Sequence, residues 1–356
     1  MTRPSSLRAL AIGLTALLPL TGCSLVGEDS SGTDGGGDRA GGDVVLVTHE
    51  SFALPRKLTR QFEQESGYHL VVRASGDAGT LTNKLVLSQG NPQGDVAFGV
   101  DNTFASRALE ADVFAPYDPE LPRGAEAYAL PGDDDHDLAP VDNGNVCVNI
   151  DTTWFAQQRL PEPESLEDLA DPAYADLLVL PGAASSSPGL AFLFATIAEY
   201  GEEWPDYWTR LLANGAKLTA GWSDAYEVDF TQGGGAGDRP IVLSYDSSPA
   251  FTVEGDASTT KALLDTCFRQ VEYAGVLTGA DNPDGAEAVV DWLLSPEVQA
   301  ALPESMYVFP VDEGAALPSD WAEYAVRPVS PYTLDPADIA DHRDEWLTTW
   351  SDVTSR

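Results

Sequence analysis

The sequence predicts an α/β fold of mainly parallel sheets flanked by helices, divided over more than one domain. Two observations carry this expectation. From Asp43 onward, short apolar and β-branched runs alternate with segments of helical period, which is the pattern of strands joined by crossover helices. The chain has 356 residues, 43% apolar and 9% aromatic, enough to give two or three domains a core each.

Residues 44–48 form a continuous apolar run suited to a strand covered on both faces. Pro55 opens a helix that runs through Phe62 to a stop at Gly67. Strand 68–73, helix 80–88 and strand 95–100 follow, with Asp101 and Asn102 at the carboxyl end of the last. In such a βαβαβ unit ligands sit beyond the carboxyl ends of the strands. That draws attention to His49, Glu50, Ser51, Phe52, Ser75, Asp77, Asp101 and Asn102. A second α/β region begins after Asp151, with helical pieces at 166–170 and 173–176 and strands at 177–180, 217–219 and 241–244. Its helices are expected at 188–200, 204–213, 224–231, 249–254, 284–294 and 337–350. Ser187 followed by Pro188 reads as a helix start, the serine as N-cap and the proline first in the helix. Its free amides either are simply capped or form an anion site.

The termini and the charge bound the compartment. Arg3 and Arg8 precede an apolar run over 10–20, too short to span a bilayer comfortably and built like a secretory signal. Leu20-Thr21-Gly22-Cys23 resembles a bacterial lipobox, so residues 1–22 are expected to be a lipoprotein signal and Cys23 the acylated residue. The Gly-, Ser- and Asp-rich stretch 23–43 then reads as a flexible tether. With 57 acidic against 19 basic residues the net charge is −38. A field of that sign disfavours nucleic acid and suits either a solubilising surface outside the cell or a cationic ligand.

Several chemistries are missing. The chain has no Gly-x-Ser-x-Gly elbow, His-Glu-x-x-His pair or Gly-x-Gly-x-x-Gly loop after its first strand. The glycine-rich segment 233–237 lacks a following Lys-Ser or Lys-Thr and reads as a flexible surface turn. Four scattered histidines and three cysteines offer no spacing for a metal cluster. Catalytic, metal and cofactor sites are therefore not expected. What the chain does carry is aromatic residues beside small polar ones in loops, at 221–226, 244–251 and 306–310. Such rings either pack in a core or offer flat faces to a planar or cationic ligand.

The runs HESFALP (49–55), GDVAFGVDN (94–102), SSSPGL (185–190), GWSDAY (221–226) and LSYDSSPAF (243–251) resemble, in the same order, the thiamine-binding periplasmic proteins of bacterial ABC importers. The likeness runs from about residue 44 to the C-terminus. It implies a two-lobed type II periplasmic-binding-protein fold that closes on thiamine or its phosphates and delivers it to a membrane permease, as a monomer. Position by position it implies that Trp222, Tyr245, Phe251 and Tyr307 hold the thiamine rings. Phe251 stands where the family commonly has tyrosine, and Tyr307 where it has tryptophan. Glu50 replaces an aspartate and, with Asp224, is a candidate partner for the thiazolium charge; Ser51, Asp101, Ser186, Ser187 and Ser247 complete the expected polar set. Lobe I is expected at 44–146 and 271–312, and lobe II at 147–270 and 313–356. A Cys147–Cys267 disulfide is expected between crossing strands at the changeovers, consistent with an oxidising compartment. Ferric iron or a polyamine on the same fold is the nearest alternative, although iron-binding relatives use adjacent tyrosines and Ser244-Tyr245-Asp246 holds one. A lipoprotein enzyme acting on cell-wall or phosphate substrates, or a purely structural surface protein, are the rivals of other classes.

Overall fold

A computed structural model of the chain describes residues 41–355; the signal segment, Cys23 and nearly all of the tether lie outside the described residues. The strands are β1 (Asp43–Thr48), β2 (His69–Ala74), β3 (Val96–Asp101), β4 (Phe114–Ala115), β5 (Ala139–Asp151) and β6 (Leu178–Pro181). They continue with β7 (Lys217–Thr219), β8 (Ile241–Tyr245), β9 (Val253–Glu254), β10 (Ala257–Ser258), β11 (Thr260–Leu277) and β12 (Phe309–Pro310). The helices are α1 (Arg56–Ser66), α2 (Ala78–Leu87), α3 (Ala105–Glu110), α4 (Thr152–Gln158) and α5 (Ser187–Tyr200). After them come α6 (Trp204–Ala213), α7 (Pro283–Leu293), α8 (Pro296–Met306), α9 (Ser319–Tyr324) and α10 (Pro336–Thr354).

The main sheet runs β2-β1-β3-β11-β5-β8-β6-β7. Strands β2, β1 and β3 are parallel to one another, as are β8, β6 and β7. Between these two parallel halves lie β11 and β5, antiparallel to each other and to their outer neighbours. The buried side chains segregate with the halves. Val44, Leu46, Phe98, Val276, Val289 and Leu302 belong to one cluster, and Val148, Ile150, Leu180, Phe192, Trp208 and Leu243 to another.

Local signals account for most boundaries. Gly67 ends α1 in the left-handed region (φ 79°), where a residue without Cβ is unstrained. Asp77, Asp151, Asn282, Ser295 and Asp335 cap α2, α4, α7, α8 and α10 through their side chains. At α5 the expected cap moves by one residue. Ser186 is the N-cap, in extended backbone and with no capping bond from its hydroxyl, and Ser187 already lies in the helix. Leu190 N–H donates to Ser186 O, so helical geometry begins before the proline.

Other expectations are also revised. The pieces expected as helices near 166 and 173 are single 3₁₀ turns, Glu167–Ala170 and Pro172–Tyr174. Residues 249–254 hold a 3₁₀ turn, Ser248–Phe251, that passes into β9. The segment after Trp222 is a π-helical turn, Asp224–Asp229. The runs around the two cysteines are the middles of much longer strands, 13 residues in β5 and 18 in β11.

Cys147 and Cys267 are joined, with Cα atoms 4.1 Å apart, where the β5–β11 register shifts between Leu263 and Phe268. The Thr266 hydroxyl fills the irregularity by accepting from Val148 N–H at 2.9 Å and donating to Leu263 O at 2.7 Å. The bridge spans 120 residues of sequence. Closing a loop of that length in the unfolded chain stabilises the fold by about 3–5 kcal/mol. Replacing both cysteines by alanine, in protein that also lacks Cys23, is expected to lower the urea-unfolding free energy by that amount. Two native thiols reacting freely in the unreduced protein would contradict the bridge.

Candidate ligand-binding site

The carboxyl ends of β1 and β3 and those of β6 and β8 meet over the central strands, the position at which open α/β sheets bind ligands. A cavity of about 30 Å³ lies there, room for a water molecule or two. His49, Ser51 and Asp77 line it from one half, Ser187, Trp222 and Tyr245 from the other, with Glu272 of β11 and the segment around Met306 and Val308. Ser51 and Ser223 bring their hydroxyls within 3.3 Å across it.

The aromatic wall is held by a serine relay. Trp222 Nε1 donates to Ser244 Oγ at 2.9 Å, Ser244 and Ser248 share a bond at 2.8 Å, and Ser248 Oγ accepts from Tyr245 N–H at 3.1 Å. These bonds fix the indole plane with its donor satisfied. The π turn places Tyr226 parallel to Trp222, with ring centroids 5.0 Å apart and planes inclined by 12°. Tyr307 meets Trp222 edge-on at 5.8 Å, and Tyr245 is tilted against it at 6.4 Å. Tyr307 ends α8 in the left-handed region (φ 65°) and stacks on Phe251 with centroids 3.5 Å apart. Phe251 and Tyr307 therefore form one double-thickness wall in this geometry, not two faces with a ring between them.

Carboxylates surround the opening. Asp77 accepts from the backbone N–H of Ala78 at 2.6 Å and of Trp222 at 2.8 Å, and faces the start of α5 at Ser186 and Ser187. Burial pushes its pKa up, against the pull of those amides. Glu50 is exposed at the rim; partial desolvation, then the charges of Asp77, Asp224 and Glu227, raise its pKa. Gly221 lets this rim close, because a Cβ there would come within 2.9 Å of Glu50 Oε1 and 3.0 Å of Asp77 Oδ2.

The floor is also acidic, and it is buried. Glu272 and Asp142 are direct cross-strand partners of β11 and β5, both with at most 5% of their surface exposed. Burial followed by the neighbouring carboxyl raises Glu272 well above the usual range, and burial pushes Asp142 up to about 8. His49 Nε2 lies 3.5 Å from Glu272 Oε1, yet desolvation lowers the imidazole to about 4 and keeps it neutral. The ring occupies the space above Gly99, whose φ of 95° and missing Cβ both suit the contact. Asp101 sits behind, its Oδ1 accepting from Thr103 N–H and Oγ1 and from Phe104 N–H, and burial pushes it up to about 6.

Of the residues expected from sequence, Trp222, Tyr245, Ser51 and Ser187 line the cavity and Tyr307 packs edge-on to Trp222. Glu50 and Asp224 stand on the rim. Ser186 and Asp101 lie in the layer beneath, facing Asp77 and capping the turn into α3. Ser247 donates to Tyr307 O and acts on the ring through the backbone. Glu272 and Asp142 were not singled out by sequence reasoning, and Tyr226 entered only as part of the aromatic run 221–226. Glu272 carried a signal in hindsight, an acid inside the apolar alternation of 271–277.

Fold and cleft together define a two-lobed solute-binding protein of the type II periplasmic-binding-protein architecture. The model of the bacterial extracellular solute-binding protein family matches residues 91–329, and the chain belongs to that family. It is similar to the thiamine-binding periplasmic protein of Salmonella typhimurium, 27% identical over 321 residues that cover 88% of this chain and 94% of the relative. A thiamine-binding periplasmic protein of Brucella suis is 28% identical over 88% of this chain and 92% of its own. Among solved structures, a periplasmic thiamin binding protein superposes with a TM-score of 0.76 at 27% identity, covering 88% of this chain and 96% of that one. Iron-bound HitA from Pseudomonas aeruginosa, with a TM-score of 0.67 at 20% identity over 87% of this chain and 99% of its own, shares the fold.

The acidic floor has a stability signature. A carboxyl whose pKa is higher folded than unfolded keeps its proton in the native state while the unfolded chain loses it, so stability falls as pH rises toward the folded value of about 8. His49 acts oppositely, but only below its unfolded value near 6.5. Between pH 6.5 and 8.5 the carboxyl pair acts without it. Unfolding free energy from urea titrations is expected to drop by about 1–2 kcal/mol over that interval, and Asp142→Asn to remove most of the drop.

Proposed function

We propose that the protein is a lipid-anchored substrate-binding protein that captures thiamine for an ABC importer and acts as a carrier, not an enzyme. The observation that carries this reading is one cavity in which Trp222 and Tyr245, with Tyr307 packed edge-on to Trp222, meet carboxylates, with no lysine or arginine among its lining residues. Thiamine pairs a flat aminopyrimidine with a permanently cationic thiazolium. Stacking removes its rings from water, and the ring quadrupoles and carboxylates stabilise its charge. Asp77 already faces the amides at the start of α5, so the chain's own carboxylate holds the position a phosphate would take. This favours thiamine over its mono- and diphosphate.

The cavity is too small for such a ligand as it stands, so entry requires the lobes to part. Lobe I is taken as 44–146 with 271–312 and lobe II as 147–270 with 313–356, a division supported by the two buried clusters. Ferric iron is disfavoured because iron-binding relatives use adjacent tyrosines and Ser244-Tyr245-Asp246 holds one.

Calorimetry with thiamine, thiamine diphosphate, ferric citrate and spermidine tests the assignment, thiamine being expected to bind most tightly. Cation–π contact in a desolvated site contributes roughly 2 kcal/mol. Trp222→Ala is therefore expected to weaken thiamine binding tenfold to a hundredfold, and Trp222→Phe less. Unaltered affinity in folded Trp222→Phe and Tyr245→Ala protein would refute the site. Anchoring rests on Cys23, so Cys23→Ser is expected to abolish detergent-phase partitioning while leaving thiamine affinity intact; unchanged partitioning would refute the anchor.

A further inference from the structure

The floor of the cavity holds more acid than a neutral wall or a single counter-charge requires. Glu272 faces Asp142 from β5, Asp101 from β3, Asp77 from the start of α2, His49 from the end of β1 and Tyr245 from β8. Among the described residues no lysine or arginine pairs with Glu272 or Asp142. The fully buried Asp142 has the Glu272 carboxyl as its hydrogen-bonding neighbour and no donor from elsewhere among the described residues, and the buried His49 Nε2 makes no hydrogen bond to any described residue. Glu272 and His49 line the cavity while Asp142 stands directly behind. Two adjacent carboxyls in low dielectric cannot both ionise at modest cost, so the pair retains a proton between them.

We propose that Glu272, with His49 beside it and Asp142 behind it, is a subsite for an amino or amidine-like donor on a cationic ligand, and that filling it expels the proton held by the Asp142–Glu272 pair. The proton passes to bulk solvent, and the charge left on the pair is balanced by the cation that has entered. No covalent bond forms or breaks. Asp142 is a positioning residue: it does not touch the ligand but sets the protonation of the group that does. The inference rests on reading the cleft as a thiamine site, and supplies a reason for acids on its floor as well as its rim. It also gives the cleft a means of rejecting flat neutral compounds, which would stack on Trp222 but leave Glu272 without a cation.

Calorimetric titration of the full-length protein with thiamine at pH 7, in phosphate and in Tris, reads the proton directly, because the two buffers take it up with different heats. The wild type is expected to release close to one proton per thiamine. Its affinity should rise toward tenfold per unit between about pH 6 and 8, then level off. Asp142→Asn, folded by circular dichroism, is expected to release less proton per thiamine than the wild type and to show a shallower pH profile, because burial still raises Glu272. Glu272→Gln should bind at least tenfold more weakly at pH 8. Thiamine binding by the wild type with equal heats in both buffers overturns this inference and leaves the thiamine reading standing. Wild-type proton release persisting in both variants overturns it too, since the proton then comes from elsewhere. Absence of thiamine binding by the wild type at every pH overturns the thiamine reading and the subsite with it.

Discussion

Strands β5 and β11 lie side by side through the middle of the sheet, and each parallel half is attached to one of them: β3 to β11, and β8 to β5. Their shared ladder runs from Ala139 to Asp151 on one strand and from Thr260 to Ala274 on the other. Because backbone hydrogen bonds and the Cys147–Cys267 bridge hold this pair, its register decides what faces what. It brings Glu272 level with Asp142, and it sets the spacing at which the ends of β1 and β3 confront those of β6 and β8. A slip of one residue in either strand would turn that strand's side chains to the opposite face. The floor would then lose one of its acids and the core would gain it.

A conflict follows from placing carboxyls at that crossing. The chain is strongly acidic, and Asp142, Glu272 and Asp101, all buried, gather at that crossing. A folding sequence ordinarily pairs such groups or leaves them exposed. Here no lysine or arginine among the described residues pairs with Asp142 or Glu272, and the unpartnered Nε2 of His49 stands on the wall of a cavity. Departures from local consistency of this kind are expected at functional sites and cost stability. The opposite logic governs the aromatic wall, where the indole donor of Trp222 and the amide of Tyr245 are satisfied by Ser244 and Ser248. The rings are held rigid, and the acids are held ready.

The wall also shows how a residue can be core and site together. Trp222 belongs to the buried cluster of one half and still presents an edge to the cavity. Its stacking on Tyr226, four residues further on, is made across the turn that leads into the π segment Asp224–Asp229. Tyr307 reaches the same place through an unrelated device, a left-handed helix end. Neither geometry is encoded by composition; each is a backbone choice enforced by packing.

The sequence by itself determined the alternation of strands and helices, most helix starts and stops, and the set of loops that meet at the cleft. Those features are local: an apolar β-branched run such as 44–48, a proline before α1, Gly67 after it, or an aspartate cap act over a few residues. Trp222, Tyr245 and Ser51 were legible for the same reason, as aromatic and small polar residues just past strand ends. The lengths of β5 and β11, the helices α3, α4, α8 and α9, the stacking of Phe251 on Tyr307 and the partnership of Glu272 with Asp142 were decided only by the tertiary structure. Residues 142 and 272 are far apart in the chain, and an acid in a strand reads as solvent-facing until its cross-strand neighbour is known. Antiparallel register supplies that neighbour, and no short stretch of sequence contains it.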